Sequence, residues 1–155
     1  MPFTFVTPPE ILFGHDQSSK TLEVARRFGS RLFLVTGGRS FETLAVAKLL
    51  YGLPRWSISG EPDVATVDEG VRRCREAGAE VVVAVGGGSV MDAAKAVAGV
   101  VPHEGSVRDY LEQVGDRKLA AEPLPLVAVP TTAGSGSEAT KNAVIRVPDL
   151  KVKRS

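Results

Sequence analysis

The segment from Glu80 to Val85 constrains the fold more than any other part of this sequence. After its first residue it is apolar throughout, without the alternation that a half-exposed strand shows. A continuous apolar run of this length is typical of a parallel strand covered on both faces. We therefore expect an α/β fold, in which an open, mostly parallel sheet carries helices on both faces.

The chain repeats a unit in which a helix is followed by a strand, and a glycine closes each of the first three helices. These predicted helices span 17–28, 41–51 and 64–77, and the strands that follow span 31–36, 55–59 and 80–85. Further helices are predicted at 89–98 and 107–113, and further strands at 124–129 and 139–147. Residues 149–155 show no closing element. Helices that alternate with short strands support the parallel sheet.

Charge and composition exclude several classes of partner. The formal net charge is only +1, so nothing in it favours binding to nucleic acid or to an anionic membrane surface. No apolar run approaches the roughly 20 residues of a membrane span. The single Cys74 forms no internal disulfide, and the first residues lack a secretory signal. We therefore expect a cytoplasmic protein of one domain.

The predicted strand at 80–85 runs into Gly86, Gly87, Gly88 and Ser89, where a helix begins. Glycines let the backbone approach a ligand closely, and a helix N-terminus offers free N–H groups to an anion such as a pyrophosphate. The alternative is a tight turn in which Ser89 caps the helix and Asp92 reaches back to it. Three consecutive glycines favour the phosphate site, because a capped turn needs one at most.

This turn is not the usual Rossmann fingerprint. The third glycine of G-x-G-x-x-G would fall at Met91, and the turn follows a late strand rather than the first. Asp92 would repel a phosphate held there, which suggests that it faces a ribose hydroxyl or the reacting end of a ligand. A pair with Lys95 on a solvated helix face explains Asp92 equally well, and the residues leave both hypotheses open.

A second glycine cluster spans residues 130–138, just past the predicted strand 124–129. It contains the hydroxyls of Thr131, Thr132, Ser135 and Ser137. Ligands of open α/β sheets bind in the crevice beyond the carboxyl ends of the strands, where this cluster is expected to lie. Its hydroxyls could instead bond their own backbone. Two clusters at one sheet edge favour a ligand site.

The two motifs GGGSVMDAAK, at 86–95, and PLVAVPTTAGSGSEAT, at 125–140, resemble those of the iron-containing (group III) alcohol dehydrogenase family. That family includes maleylacetate reductases and is related to glycerol dehydrogenases and dehydroquinate synthase. The resemblance runs from about Pro9 to Lys153. It implies that residues 1–155 form a dinucleotide-binding domain with a dehydroquinate-synthase-like fold.

The resemblance also implies residue roles. In the family, the turn corresponding to Gly87, Gly88 and Ser89 holds the pyrophosphate, and Asp92 lies near the nicotinamide. The other cofactor contacts that it implies are Thr131 and Thr132 near the adenine, Ser135 and Ser137 along the cofactor, and Lys153 near a ribose. Two departures are Ser135, where the family usually has Thr, and Glu61-Pro62-Asp63, where it usually has Asn-Pro-Thr.

The family binds iron or zinc with one Asp and three His of a helical C-terminal domain, and we expect that domain to be absent from this chain. Only His15 and His103 are present, without the spacing of a metal helix. We expect hydride transfer between NAD(P) and a small alcohol or aldehyde in the complete enzyme, with iron or zinc bound only there. The chain alone is expected to be inactive, and to self-associate or bind a partner chain. The alternatives are a non-catalytic nucleotide-binding module from a truncated or split gene, and a glycerol-dehydrogenase-like or synthase-like relative.

The residues after the strand 31–36 bear on the choice of cofactor. Family members that prefer NAD often carry an Asp at the position of Gly37, where it bonds the ribose 2′-OH. Gly37 and Gly38 leave room for a 2′-phosphate, which Arg39 could bind, so NADP(H) is the predicted cofactor. The alternative is a simple Gly-Gly turn into a helix capped by Ser40.

Overall fold

A computed structural model describes residues 7–155, except the side chains of residues 39 and 40. The strands are β1 (Leu32–Thr36), β2 (Arg55–Ser57), β3 (Val81–Gly86), β4 (Leu126–Pro130), β5 (Ile145–Val147) and β6 (Val152–Arg154). The α-helices are α1 (Thr21–Arg26), α2 (Ala45–Leu49), α3 (Val64–Glu76) and α4 (Gly88–Val100). Short 3-10 helices span Gln17–Lys20, Arg39–Thr43, Val107–Tyr110, Ser137–Ala139 and Pro148–Leu150.

Four strands form a parallel sheet in the order β2-β1-β3-β4. Thr36 of β1 lies beside Val85 of β3, and Gly86 lies beside Pro130 of β4, so these strands end at one edge. The chain proceeds from β1 outwards to β2 and then returns to the other side of β1 for β3. The order of the strands therefore reverses between β1 and β3. The predicted open parallel sheet is confirmed.

Helices cover both faces of this sheet, as predicted. All six residues of β3 are buried, which explains the continuous apolar run of this strand. Phe33 and Val35 of β1 pack in one core with α3 and α4. Leu32 and Leu34 point to the opposite face, where they pack in a second core with α1 and α2. The two-residue alternation of side chains divides each strand between the two cores.

Helices α3 and α4 approach each other closely at Gly70. A Cβ atom at Gly70 would lie 2.5 Å from Cζ3 of Trp56 and 2.7 Å from Cγ2 of Val97. Trp56 is only 5% exposed, so its ring is enclosed by the core. Gly70 is therefore required by the packing between the two helices and β2.

The chain end differs from the prediction. The strand predicted at 139–147 is confined to Ile145–Val147, and residues 149–155, predicted to lack a closing element, contain β6. These two strands form an antiparallel hairpin whose turn places Lys151 at a φ of 54°. Ile145 and Val147 are fully buried, so the hairpin is part of the core. Short strands of this kind lack the length that makes a sequence pattern clear.

Three predicted helices are shorter or broken. Residues 17–28 divide into a 3-10 turn and α1, and residues 41–51 divide at Leu44, whose ψ of 141° is extended. The helix predicted at 107–113 is a single turn, Val107–Tyr110, with a capping box between Ser106 and Asp109. No helix among residues 7–155 is long and apolar enough to cross a membrane.

Candidate functional site

The candidate site lies at the carboxyl edge of the parallel sheet. Ligands of open α/β sheets bind where the strand order reverses, which in this chain is between β1 and β3. Gly37 and Gly38 follow β1 there, and Gly87 and Gly88 follow β3. A surface cavity of about 630 Å³, lined by residues 26–30, lies at the opposite edge and contains none of the predicted ligand groups.

The turn after β3 leads directly into α4. Gly87 is the N-cap in an extended conformation, with φ −83° and ψ −172°, and the helix begins at Gly88. Ser89 therefore lies inside the first turn, and no side chain caps this helix start. The alternative in which Ser89 caps the helix and Asp92 reaches back to it is wrong. The first N–H groups of α4 have no acceptor within the helix, so they are available to an anion.

The three glycines of this turn lie close to different neighbouring side chains. A Cβ at Gly86 would lie 2.5 Å from Cγ2 of Val90, so this glycine is required by the fold. A Cβ at Gly87 would lie 3.3 Å from Cγ2 of Thr132, and one at Gly88 would lie 3.0 Å from Cβ of Ser135. The second and third glycines therefore allow the turn after β4, residues 131–140, to lie against the turn after β3.

The turn after β4 keeps most of its hydroxyl residues at the surface. Its first N–H, from Thr131, donates to the carbonyl of Gly86 over 2.9 Å. Thr131, Thr132 and Ser135 are exposed. The N–H of Ser137 donates to the hydroxyl of Ser135 over 3.4 Å, so this hydroxyl does bond its own backbone. The structure thus brings both glycine clusters together, as predicted.

Asp92 and Ser137 bond each other. Ser137 is 8% exposed, and its hydroxyl donates to Oδ1 of Asp92 over 2.6 Å. Nζ of Lys95 lies 3.3 Å from the same oxygen, with side-chain exposures of 10% for Lys95 and 17% for Asp92. The pair between Asp92 and Lys95 is therefore present, but the solvated face expected for it is wrong. Lys95 also contacts the turn after β4, which nothing in the sequence indicated.

Lys153 lies on β6, near the loop that follows β2. Its Nζ is 2.7 Å from Oε1 of Glu61, and this hydrogen bond holds the pKa of Glu61 below its ordinary value. The N–H of Arg146 donates to the carbonyl of Pro62 over 2.9 Å, which attaches the hairpin to this loop. Asp63 caps α3 by accepting from the N–H of Thr66 over 2.9 Å. All three residues of the Glu61-Pro62-Asp63 departure from the family pattern thus have structural partners.

The residues after β1 are described only in part. Gly38 is the N-cap of the 3-10 helix Arg39–Thr43, so the helix capped by Ser40 is not formed. The side chains of Arg39 and Ser40, predicted to contact the cofactor, lie outside the described part of the chain. A Cβ at Gly38 would meet no atom within 4 Å, so space is open beside this turn.

The histidines do not fit the metal that the family resemblance implies. Nδ1 of His103 is 2.9 Å from the carbonyl of Gly99, and Nε2 accepts from the N–H groups of Ala120 and Ala121 over 2.9 and 3.0 Å. Both ring nitrogens are therefore engaged. His15 is exposed and far from it in sequence. Residues 7–155 contain no group of three or more His, Cys, Asp or Glu that could hold a metal ion.

Comparison with known proteins gives a consistent result. Residues 8–155 match the family model for iron-containing alcohol dehydrogenase. The chain is 34% identical over 160 residues to NADH-dependent butanol dehydrogenase B of Clostridium acetobutylicum, covering 97% of this chain and 40% of that protein. It is 33% identical over 152 residues to the probable NADH-dependent butanol dehydrogenase 2 of Bacillus subtilis, covering 92% of this chain and 38% of that protein.

Solved structures share the fold. A sulfoacetaldehyde reductase from Bifidobacterium kashiwanohense in complex with NAD+ superposes with a TM-score of 0.86 at 30% identity, over 99% of this chain and 42% of that one. An archaeal halo-thermophilic alcohol dehydrogenase from a Red Sea brine pool, bound to NZQ, gives a TM-score of 0.86 at 34% identity, with the same coverage. The chain thus spans about two fifths of the length of these relatives.

Proposed function

Because this chain belongs to the iron-containing alcohol dehydrogenase family, we propose that residues 1–155 form the half of such an enzyme that binds a nicotinamide dinucleotide. The observation that carries this proposal is the meeting of two glycine turns beside the point where the strand order reverses. The complete enzyme would transfer a hydride between NAD(P) and a small alcohol or aldehyde. The relatives named for butanol and sulfoacetaldehyde support that reaction class.

In this proposal the pyrophosphate of the cofactor accepts hydrogen bonds from the N–H groups at the start of α4, near Gly88 and Ser89. The exposed hydroxyls of Thr131 and Thr132 lie beside the adenosine half. Asp92 lies nearer the nicotinamide. Ser137 acts by holding Asp92, since its hydroxyl is already donated to that carboxylate.

Lys153 completes the proposed contacts near a ribose of the cofactor. Its side chain is 53% exposed, and its partner Glu61 is 55% exposed. Exposed ion pairs contribute little to stability, so Lys153 can leave Glu61 for a ligand hydroxyl at little cost. In all of these contacts the chain binds and orients the cofactor, whose nicotinamide carries the hydride.

Replacement of Gly88 by Val tests the pyrophosphate site. The new side chain would collide with Ser135 and cover the N–H groups, because even a Cβ at this position lies 3.0 Å from Cβ of Ser135. We expect NADH to bind at least about tenfold more weakly, or about 1.4 kcal/mol. Isothermal titration calorimetry of the parent and the variant measures this change.

The matched control is Gly99→Ala in the same helix. A Cβ at Gly99 meets only Cδ1 of Leu119, at an ordinary 3.5 Å, so this variant should bind NADH like the parent. Equal affinities of Gly88→Val and the parent for NADH, with unchanged circular dichroism, would show that the pyrophosphate does not bind at this turn.

The preference for NADP(H) is the finer part of the proposal. Gly37 provides no carboxylate for a ribose 2′-OH, and the open space beside Gly38 can accommodate a 2′-phosphate near Arg39. We expect NADPH to bind more tightly than NADH, and Arg39→Ala to lower that ratio about tenfold through the loss of a charged hydrogen bond. Fluorescence titration with both cofactors gives the ratio.

Gly37→Asp is the complementary variant, because it restores a carboxylate that repels the 2′-phosphate and bonds the 2′-OH. It should move the preference towards NADH. Equal binding of both cofactors by the parent, or an unchanged ratio in Arg39→Ala, contradicts this part of the proposal and leaves dinucleotide binding intact.

A cytoplasmic location and self-association belong to the same proposal. Cys74 is fully buried, and burial raises the pKa of its thiol to about 12, so the thiol stays protonated and unreactive.

Self-association through the face at the carboxyl edge of the parallel sheet stays a prediction. Size-exclusion chromatography coupled to light scattering would measure it.

A further inference from the structure

Lys95 occupies an unusual position for a lysine. Its side chain is only 10% exposed, whereas lysine is rarely buried unless it is paired. Its ammonium group donates to the carbonyls of Ser137 and Thr140 over 2.9 and 3.4 Å, and to the hydroxyl of Thr140 over 3.2 Å. A further bond goes to the carbonyl of Asn142. Together with Asp92, these oxygens surround the ammonium group.

Asp92 explains why a positive charge is needed there. α4 begins at Gly88, so Asp92 is the fifth residue of the helix, one position further in than in the predicted helix 89–98. Residues four apart share a helix face, and side chains lean towards the helix N-terminus. The Asp92 carboxylate therefore lies on the side of the helix that carries Gly88, below the place proposed for the pyrophosphate. An uncompensated carboxylate would repel that anion.

We propose that Lys95 is a positioning residue of the nucleotide site with two effects. It compensates the charge of Asp92, so that a pyrophosphate can bind at the start of α4. It also attaches the turn after β4 to that helix, through the carbonyl of Ser137 and both oxygens of Thr140. This inference rests on the proposed function and adds a residue to it that touches no part of the cofactor.

The two effects can be separated by a double-mutant cycle. Lys95→Met keeps most of the apolar stem and removes the charge, and we expect NADH to bind at least about tenfold more weakly. The same change in the Asp92→Asn background leaves no carboxylate to compensate, so we expect a loss below about threefold. A merely structural attachment of the turn predicts equal losses in both backgrounds.

Lys48→Met is the control for net charge, because Lys48 is exposed at the end of α2 and should leave the affinity unchanged. Thermal unfolding of each variant verifies that it is folded. If Lys95→Met does not fold, the Lys95→Arg variant provides the test, because it retains the positive charge at this position. Retained NADH affinity in this variant supports the inference, and a tenfold loss overturns it.

The outcomes distinguish this inference from the function on which it rests. A parent chain that binds neither NADPH nor NADH overturns both. A parent that binds NADH, with Lys95→Met binding it equally well, overturns the role of Lys95 alone. Equal losses with and without Asp92 overturn the charge compensation.

Discussion

The purified 155-residue chain is expected to oxidise no alcohol and to reduce no aldehyde, with or without added Fe²⁺ or Zn²⁺. Residues 7–155 offer no cluster of metal ligands, and both nitrogens of His103 are engaged by the backbone. A metal that polarises the substrate oxygen lowers the barrier by several kcal/mol, or roughly a thousandfold or more in rate. A spectrophotometric assay that follows NAD(P)H absorbance with short alcohols and aldehydes measures whether the chain has any turnover.

The control for this assay is cofactor binding in the same buffer, which shows that the chain is folded and competent. Metal-dependent turnover by the purified chain would contradict the prediction. Such a result would require a site assembled across copies of the chain, and His15→Ala would then test whether the exposed histidine contributes to it. Cofactor binding without turnover would also agree with a non-catalytic nucleotide-binding module.

Gly70→Ala is expected to lower the free energy of unfolding by about 1–3 kcal/mol. Alanine normally stabilises a helix interior relative to glycine by about 1 kcal/mol, so the expected sign is the opposite of the usual one. The added Cβ would lie 2.5 Å from the Trp56 ring and 2.7 Å from Val97, and both side chains are buried in one core. Urea unfolding, monitored by circular dichroism, measures the change in the free energy of unfolding.

Gly99→Ala is the matched substitution in α4, where the new Cβ makes an ordinary contact at 3.5 Å. It should leave the stability unchanged or raise it by up to about 1 kcal/mol. Equal effects of the two substitutions would contradict the close contact between α3, α4 and Trp56.

The sequence alone predicted the parallel sheet, because a continuous apolar run such as that at 81–85 is typical of a parallel strand buried on both faces. It also predicted the glycine turn between β3 and α4, because three glycines after an apolar run mark the point where the strand ends. Both inferences depend on local patterns. The hairpin of β5 and β6 escaped prediction, because strands of three residues carry too short a pattern and pair through tertiary contacts.

The arrangement of the site was decided by tertiary structure. The sequence contained Asp92, Lys95 and Ser137 and left two hypotheses open for Asp92. The contact between Ser137 and Asp92 joins residues 45 positions apart, and the contact between Lys95 and Asn142 joins residues 47 apart. Neither contact has a local signal, because each arises where β3 and β4 end at one edge of the sheet. The sequence thus determined which groups could bind a nucleotide, and the sheet order determined which of them meet, since side chains distant in the chain are brought together only by strand pairing.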